Sequence, residues 1–183
     1  MKYLKFATGI LLLCCAQLSF AMTPEQRVRA YFQAYSSQDF TALASHLLPD
    51  DLAYFRELMA FTERLSPEIR SEFYQTLYGP GITAENISKL SNSEYFASFM
   101  NAVFSLDPSL QETLDISAPQ LIGEIQETSD LTHILVRHHI EFDGIKYEEM
   151  EVVSLRRVGD DWLILLNGEF ENIPASIKES FLG

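Results

Sequence analysis

A histidine and two glutamates interrupt the apolar face of a predicted β-hairpin near the C-terminus. In the predicted register His138 lies directly opposite Glu149, and Tyr147 and Glu151 follow on the same strand face. Burial lowers the pKa of a histidine and a nearby carboxylate raises it, so such a ring titrates near working pH and can act as a general acid or base. In this interpretation His138 is the base, Glu149 orients it, and Tyr147 polarises a substrate oxygen.

The pairing depends on a two-residue turn at Asp143-Gly144, which lies between two segments of alternating apolar and polar residues. An Asp-Gly pair favours a type I′ turn, because both central residues need positive φ and glycine adopts it without steric cost. The predicted cross-strand pairs are Phe142 with Ile145, Ile140 with Tyr147, His138 with Glu149, Val136 with Glu151, and Ile134 with Val153.

The same polar cluster has an ordinary structural explanation. His138 and Glu149 can form a half-buried ion pair at the end of the sheet, where the helices no longer cover it. Ion pairs of this kind perturb pKa values without any catalysis. The sequence therefore supports two interpretations of the cluster, an acid–base site and a structural ion pair.

Apolar and aromatic residues near the cluster are candidates for a ligand pocket. The predicted ligand-binding residues are Glu151, Val136, Ile140, Tyr31 and Tyr35. An aromatic stripe at helical spacing is also the usual pattern of a packed core. These residues thus fit either a pocket wall or the protein interior.

The histidines do not predict a metal site. His133 and His139 share one strand face but stand about 20 Å apart at about 3.3 Å per residue, and His138 points to the other face. His46 stands apart on the second predicted helix. Metal sites need three or four ligands close together, so no metal or other cofactor is predicted.

Charge excludes two classes of partner. The chain has a formal net charge of -13 at pH 7, and its acidic residues are scattered along it. Such a surface repels phosphate backbones and anionic lipids. Neither nucleic acid nor a membrane surface is therefore a predicted partner.

Residues 1–21 are predicted to form a secretory signal peptide. Lys2 and Lys5 precede an apolar run over residues 10–16, and Ser19-Phe20-Ala21 is a small-x-small cleavage site. The apolar run is shorter than the about 20 residues of a membrane span. Cleavage after Ala21 would give an exported bacterial protein, periplasmic or secreted.

Both cysteines of the chain, Cys14 and Cys15, lie within this predicted signal peptide. A mature chain that begins at Met22 therefore has no disulfide and no thiolate nucleophile, although its compartment is oxidising. Its stability must come from packing.

Hydrophobic periodicity divides residues 22–183, a single predicted domain, into a helical part at about 23–114 and a sheet part at about 115–172. The predicted helices are one capped by Thr23, one from Phe40 to Leu48, one capped by Asp50, one capped by Ser66 and carrying Ile69, Phe73 and Leu77, one from Thr83 to Leu90, and one capped by Ser93. The predicted strands are Gln120 to Thr128, Leu131 to Phe142, Ile145 to Val158, and Trp162 to Phe170. The predicted class is α+β, with amphipathic helices on one face of a curved, mainly four-stranded antiparallel meander.

The predicted register assigns the strand residues to two faces. A turn at Ser129-Asp130 places Leu121, Gly123 and Ile125 on the apolar face with His138. The opposite face is largely polar and carries Glu124, Gln126, His133, Arg137, His139, Glu141, Lys146, Glu148 and Arg156. Within that polar face, a small apolar strip consists of Leu135, Met150 and Val152.

Both ends of the chain resemble the nuclear transport factor 2-like (NTF2-like) superfamily, a cone-shaped α+β fold. The resembling segments are the opening helix Pro24 to Phe32, the segment Gln38 to Leu43, and the final hairpin Arg157 to Ile164. Residues 51–91 depart from the family, because they read as helical where a short early strand or hairpin is usual. The resemblance implies a cavity between helices and sheet, and dimerisation through the outer face of the sheet.

The NTF2-like superfamily includes dehydratases, isomerases, polyketide cyclases and non-catalytic binding or assembly domains. Two kinds of function are therefore compatible with the resemblance. The preferred hypothesis is an exported, non-catalytic module that binds an apolar small molecule or another envelope protein. The alternative is an enzyme that performs dehydration or isomerisation in the cavity, with His138, Glu149 and Tyr147 as its catalytic residues. Fold analogy alone does not choose between them.

Overall fold

The computed structural model describes residues 21–106, 119–142, 145–166 and 168–182. Helices occupy the first part of the chain: α1 Pro24–Ser36, α2 Phe40–Ser45, α3 Pro49–Leu58, a 3-10 helix Met59–Arg64, α4 Pro67–Tyr78, α5 Ala84–Ser88 and α6 Asn92–Leu106. Four strands follow: β1 Gln120–Gln126, β2 Leu131–Phe142, β3 Ile145–Val158 and β4 Asp161–Ile164. A last helix, α7, covers Gly168–Leu182.

The strands form one antiparallel sheet in the order β1-β2-β3-β4, with helices packed against it. The predicted α+β class is therefore confirmed. All five predicted β2–β3 pairs are present, from Phe142 with Ile145 to Ile134 with Val153. The turn that sets this register, Asp143-Gly144, lies outside the described residues.

The core lies between the inner face of the sheet and the helices. Ile134 and Val136 of β2 and Val153 and Leu155 of β3 are all buried. They join one hydrophobic cluster with aromatic side chains of the helices, in which the Phe99 ring lies 5.1 Å from the Phe55 ring. One face of the sheet is thus covered by side chains of the helical part.

Most helix starts follow the predicted capping signals. The Thr23 hydroxyl accepts a hydrogen bond from the Gln26 N–H, and the Gln26 side-chain oxygen accepts one from the Thr23 N–H, which is the capping box expected from the sequence. Ser66 likewise caps α4. Two helices begin differently, because α3 starts at Pro49 and Asp50 lies in its first turn, and α6 starts at Asn92, before Ser93.

Two helices also differ from their prediction, one in continuity and one in burial. The third predicted helix is not continuous, since α3 ends at Leu58 and the 3-10 helix carries the chain onward. Met59 and Thr62 are still buried in that tighter turn. In α4, Phe73 and Leu77 are buried but Ile69 is exposed, so the predicted stripe begins one turn late.

The predicted face of β1 is wrong for two of its three residues. The N–H groups of Glu127 and Thr128 both donate to the Leu131 carbonyl, so the turn contains one residue more than the predicted two-residue turn at Ser129-Asp130. The β1–β2 pairing is therefore shifted by one residue. Ile125 consequently pairs with His133 on the outer face and is 70% exposed. A one-residue shift in register moves a side chain to the other face of a sheet.

A β-bulge then restores the predicted side for Leu121. The register shifts between Leu121 and Gly123, so Leu121 pairs with Val136 whereas Gly123 pairs with Leu135 of the outer face. A bulge adds one residue to one strand and reverses the faces beyond it. Glu124 and Gln126, predicted on the outer face, pair instead with residues of the inner face, Ile134 and Thr132.

The fourth strand is shorter than predicted, because it ends at Ile164 rather than Phe170. Residues 168–182 form helix α7, which the sequence analysis missed. Phe170, Ile173 and Ile177 of α7 pack against the core. Their spacing is helical, but Gly168 at the start and Pro174 inside α7 obscured it, since both residues usually interrupt a helix.

None of the helices within the described ranges combines the length and the apolar character that crossing a membrane requires. The predicted signal peptide lies outside those ranges except for Ala21, and export stays a prediction.

Candidate functional site

His138 lies in the core rather than in an open pocket. Strand β2 directs its ring to the inner face, where the side chain is 6% exposed. The Phe32 ring of α1 covers it at a centroid distance of 5.0 Å and an interplanar angle of 63°. Within the described residues, the buried Nδ1 of His138 has no hydrogen-bond partner. Direct contact between this ring and a substrate would require Phe32 to move.

The carboxylate that contacts His138 belongs to Glu151. Glu149 is directly opposite His138 in the register, as predicted, but its side chain is exposed. The Nε2 of His138 lies 3.0 Å from Oε2 of Glu151, which is two residues further along β3 on the same face. Diagonal neighbours on one sheet face lie within reach of long side chains, so the glutamate with the more buried position takes the contact.

The other predicted site residues are spread over two environments. Tyr147 is 45% exposed at the uncovered end of the sheet, whereas Val136 is fully buried in the core. Tyr31 is buried and its ring stacks on that of Tyr35 at 6.5 Å. Ile140 pairs with Tyr147 along the strands, and its side chain lies outside the described part of the chain. His138 and Glu149 are thus opposed in the register, but among the described residues no hydrogen bond or ion pair links the side chains of His138, Glu149 and Tyr147.

Two of the predicted ligand-binding residues do share a cavity. A cavity of about 350 Å³ opens where β4 ends, and we call it the edge cavity. Its walls include Tyr31, Asp51, Glu151, Val153, Leu166 and Phe170. The cavity is open to solvent beside β3 and is not lined by His138, so Glu151 stands between the buried ring and the cavity.

Helix α3 and the chain after β4 shape this cavity. The N–H of Leu165 donates to the Ser154 carbonyl at 2.9 Å, which is the last backbone contact of this segment with β3. The N–H of Leu166 then donates to Oδ2 of Asp51 at 2.8 Å. This second bond carries the chain away from β3 and leaves a carboxylate at the cavity wall.

A larger groove lies among the helices and contains no predicted site residue. It has a volume of about 540 Å³ and runs between α4, α5 and α6, with Leu77, Tyr78, Ile87 and Ala102 among its walls. The described residues of its lining include no ionised side chain. The groove therefore adds no catalytic candidate.

An ionic cluster that was not predicted from the sequence is formed by Arg27, which is buried, and by the half-buried His46 and Asp161. The Arg27 guanidinium of α1 is buried, hydrogen-bonds Asp161 at the start of β4, and places Nη1 2.8 Å from Nδ1 of His46. A guanidinium only donates, so this histidine nitrogen is the acceptor. Arg27 lies on the same helix face as Tyr31, and a basic residue within an apolar stripe was the available signal.

The cluster perturbs both of its titrating members. Burial, followed by the positive charge of Arg27, lowers the pKa of His46, and Asp161 opposes them to a smaller extent. Burial tends to raise the pKa of Asp161, but hydrogen bonds from Arg27 and from the Trp162 N–H, with the Arg27 charge, hold it below its usual value. These charges join α1, the end of α2 and β4, which is a structural role.

The described ranges contain no group of three histidine, cysteine, aspartate or glutamate side chains arranged to hold a metal ion. His133, for example, contacts Glu127 at 2.7 Å and Ser154 at 2.9 Å, which are hydrogen bonds on the outer face of the sheet.

No family model, curated protein or solved structure matches this chain. The NTF2-like resemblance therefore stays a prediction.

Proposed function

We propose that this protein is an exported, NTF2-like, non-catalytic module that binds another protein of the cell envelope through its sheet. The packing around His138 carries the proposal. The only histidine on the inner face within the described residues is covered by Phe32, so no substrate reaches it. The space that family members use between helices and sheet is occupied here by core side chains such as Ile134 and Val136.

The exposed side of the sheet supports a protein partner over a small molecule. Met150 and Val152 of β3 are exposed on the outer face. Together with Leu135 they correspond to the apolar strip predicted from the sequence. Contiguous apolar patches rimmed by polar residues are typical of surfaces that bind proteins when they are large, and this strip of three side chains is a small patch of that kind. A second copy of the chain on this outer face, the homodimer implied by the resemblance, stays a prediction.

The experiment is complementation of a strain that lacks the gene, with His138→Ala as the first variant. Loss of a buried, hydrogen-bonded ring should reduce the free energy of unfolding by about 1–3 kcal/mol. Biological activity should persist at a temperature where circular dichroism shows the variant folded. A folded His138→Ala protein that reproduces the null phenotype would overturn the non-catalytic assignment.

One observation favours a catalytic alternative. Glu151 lines the edge cavity and contacts His138 from the other side, so it is the single predicted site residue that joins an accessible space to the buried histidine. In that alternative Glu151 takes a proton from a ligand in the cavity, and His138 stabilises the carboxylate. Glu151→Gln keeps the shape and ends proton transfer. Loss of function in Glu151→Gln together with His138→Ala would therefore support catalysis.

A further inference from the structure

Strand β3 is much longer than its neighbour on one side. Its partner β2 pairs along it from Ile145 to Arg156, whereas β4 pairs only with Leu155 to Val158. Within the described part of the chain, no strand lies beside β3 on the β4 side from Ile145 to Val153. We call this stretch of backbone the open edge.

The backbone groups that face away from β2 can be identified. Ser154 accepts a hydrogen bond from the Leu165 N–H on the β4 side. Successive residues of a strand direct their N–H and C=O groups to alternate sides. The N–H and C=O groups of Glu148, Met150 and Val152 therefore point outward from the open edge. Unpaired groups in this arrangement are a template for an additional strand.

The edge cavity lies at one end of the open edge, where β4 leaves β3. A residue of an added strand that pairs with Glu151 would point to the same side of the sheet as Glu151, and so into the cavity. Aromatic side chains of Tyr31 and Phe170 form part of its wall, together with the carboxylates of Asp51 and Glu151. A lysine or arginine fits this lining, because its aliphatic stem packs on apolar atoms and its charge meets carboxylates.

The charge of the open edge selects the same kind of partner. Glu148, Glu149 and Glu151 follow one another along it, and the only basic residue of the same stretch is Lys146. Glu148 lies 3.5 Å from Arg137 of β2 and Glu151 contacts His138, whereas Glu149 is exposed, so the open edge keeps an excess of carboxylates. A second copy of this chain is disfavoured in the register that is symmetric about Met150. An antiparallel register centred on Met150 would set Glu149 of one copy opposite Glu151 of the other, and like charges directly opposite destabilise a strand pair.

We propose that the open edge and the edge cavity together bind an extended, basic segment of another protein, which adds a strand to β3 and inserts a lysine or arginine beside Glu151 and Asp51. The proposal rests on the proposed function, since it names the partner class and the part of the sheet that is used. Recognition by strand addition combines main-chain hydrogen bonds for affinity with side-chain pockets for specificity.

The test measures binding of short synthetic peptides to the purified protein by fluorescence anisotropy at low salt. One peptide alternates arginine with valine, and its counterpart has glutamate in place of arginine. The basic peptide should bind at least about tenfold more tightly than the acidic one. In hydrogen exchange, the amides of Glu148, Met150 and Val152 should gain protection when it binds.

Val152→Pro is the decisive variant. It removes an outward N–H without removing any bond to β2, and proline is tolerated on strand edges. It should weaken binding of the basic peptide by about tenfold. The control Ile125→Thr replaces an exposed apolar side chain on β1, two strands away from the open edge, and should bind as the unmodified protein does. If Val152→Pro does not fold, Glu149→Lys is tested in its place. It should weaken binding of the basic peptide by about threefold and strengthen binding of the acidic peptide.

Each outcome bears on one claim. Equal binding of both peptides, no binding of the basic peptide, or binding unchanged by Val152→Pro and Glu149→Lys would overturn the strand-addition proposal. A dimer in sedimentation that Val152→Pro dissociates would also overturn it, because the occupant would then be a second copy. The proposed function is judged separately by the complementation with His138→Ala, so either claim can fail while the other stands.

Discussion

The two ends of the sheet are built differently. At the end beside β4, the inner-face residues Ile134, Val153 and Leu155 are buried under the helices. At the other end, beyond His138, Tyr147 is exposed and Glu149 points into solvent. A single long strand, β3, runs through both environments. Its neighbour β4 pairs with it only at the first of these ends.

This difference underlies the proposed location of a partner site. A catalytic pocket under the sheet needs space between the helices and the inner face, and aromatic side chains fill that space around His138. The uncovered end offers backbone groups and carboxylates instead, and the edge cavity lies between the two ends, where β4 leaves β3. Groups that lie in a packed core stabilise the fold, and groups at an open edge are available for recognition.

Removing a core ring should give the largest effect. Phe99 is fully buried and contacts Phe55, so Phe99→Ala should reduce the free energy of unfolding by about 3–5 kcal/mol through lost transfer energy and a cavity. Tyr147→Ala, at the uncovered end, should cost less than about 1 kcal/mol. Urea unfolding of both variants measures the difference. Equal losses would mean that the uncovered end is packed after all.

A smaller effect is expected from pH at the ionic cluster of Arg27, His46 and Asp161. The pKa of His46 is lowered in the folded protein, so the unfolded chain binds a proton more readily. The stability contributed by neutral His46 is complete above its usual pKa of about 6.5 and is lost as pH falls below that value towards the lowered pKa. Thermal unfolding between about pH 7.5 and pH 5.5 should record this loss.

The matched variant for this measurement is His46→Asn, whose side-chain oxygen can still accept from Arg27 near the position of Nδ1. It does not titrate, so its stability should fall less over the same pH interval. The difference between the two proteins is modest because the His46 ring is only half buried. An identical pH dependence for both proteins would show that His46 does not cause the loss of stability.

The β2–β3 hairpin could be predicted from the sequence because two signals agreed. Strict alternation defined two faces, and Asp143-Gly144 left one short turn between Phe142 and Ile145. The capping of α1 by Thr23 was equally local, since it needs only residues within one turn. Features that depend on residues close together in the sequence could therefore be predicted.

Features that depend on tertiary geometry could not be predicted from the sequence. The bulge between Leu121 and Gly123 is marked only by the glycine, which often but not always accompanies a bulge, yet it changes the face of β1. Pairing predicted that His138 faces Glu149, but the hydrogen bond goes to Glu151, because side-chain length and direction decide among diagonal neighbours. Arg27 contacts His46 and Asp161, which are distant from it in the sequence, and hydrophobic periodicity does not predict such contacts.

The smallest expected effect compares two adjacent valines of β3. Val152 is 56% exposed on the outer face, whereas Val153 is 4% exposed in the core. Val152→Thr should change the free energy of unfolding by no more than about 0.5 kcal/mol, whereas Val153→Thr buries a hydroxyl and should cost about 1–3 kcal/mol. The substitution and the strand are the same, so only the face differs. If Val152→Thr proves as costly as Val153→Thr, the outer face is covered, and a surface for protein binding must be sought elsewhere.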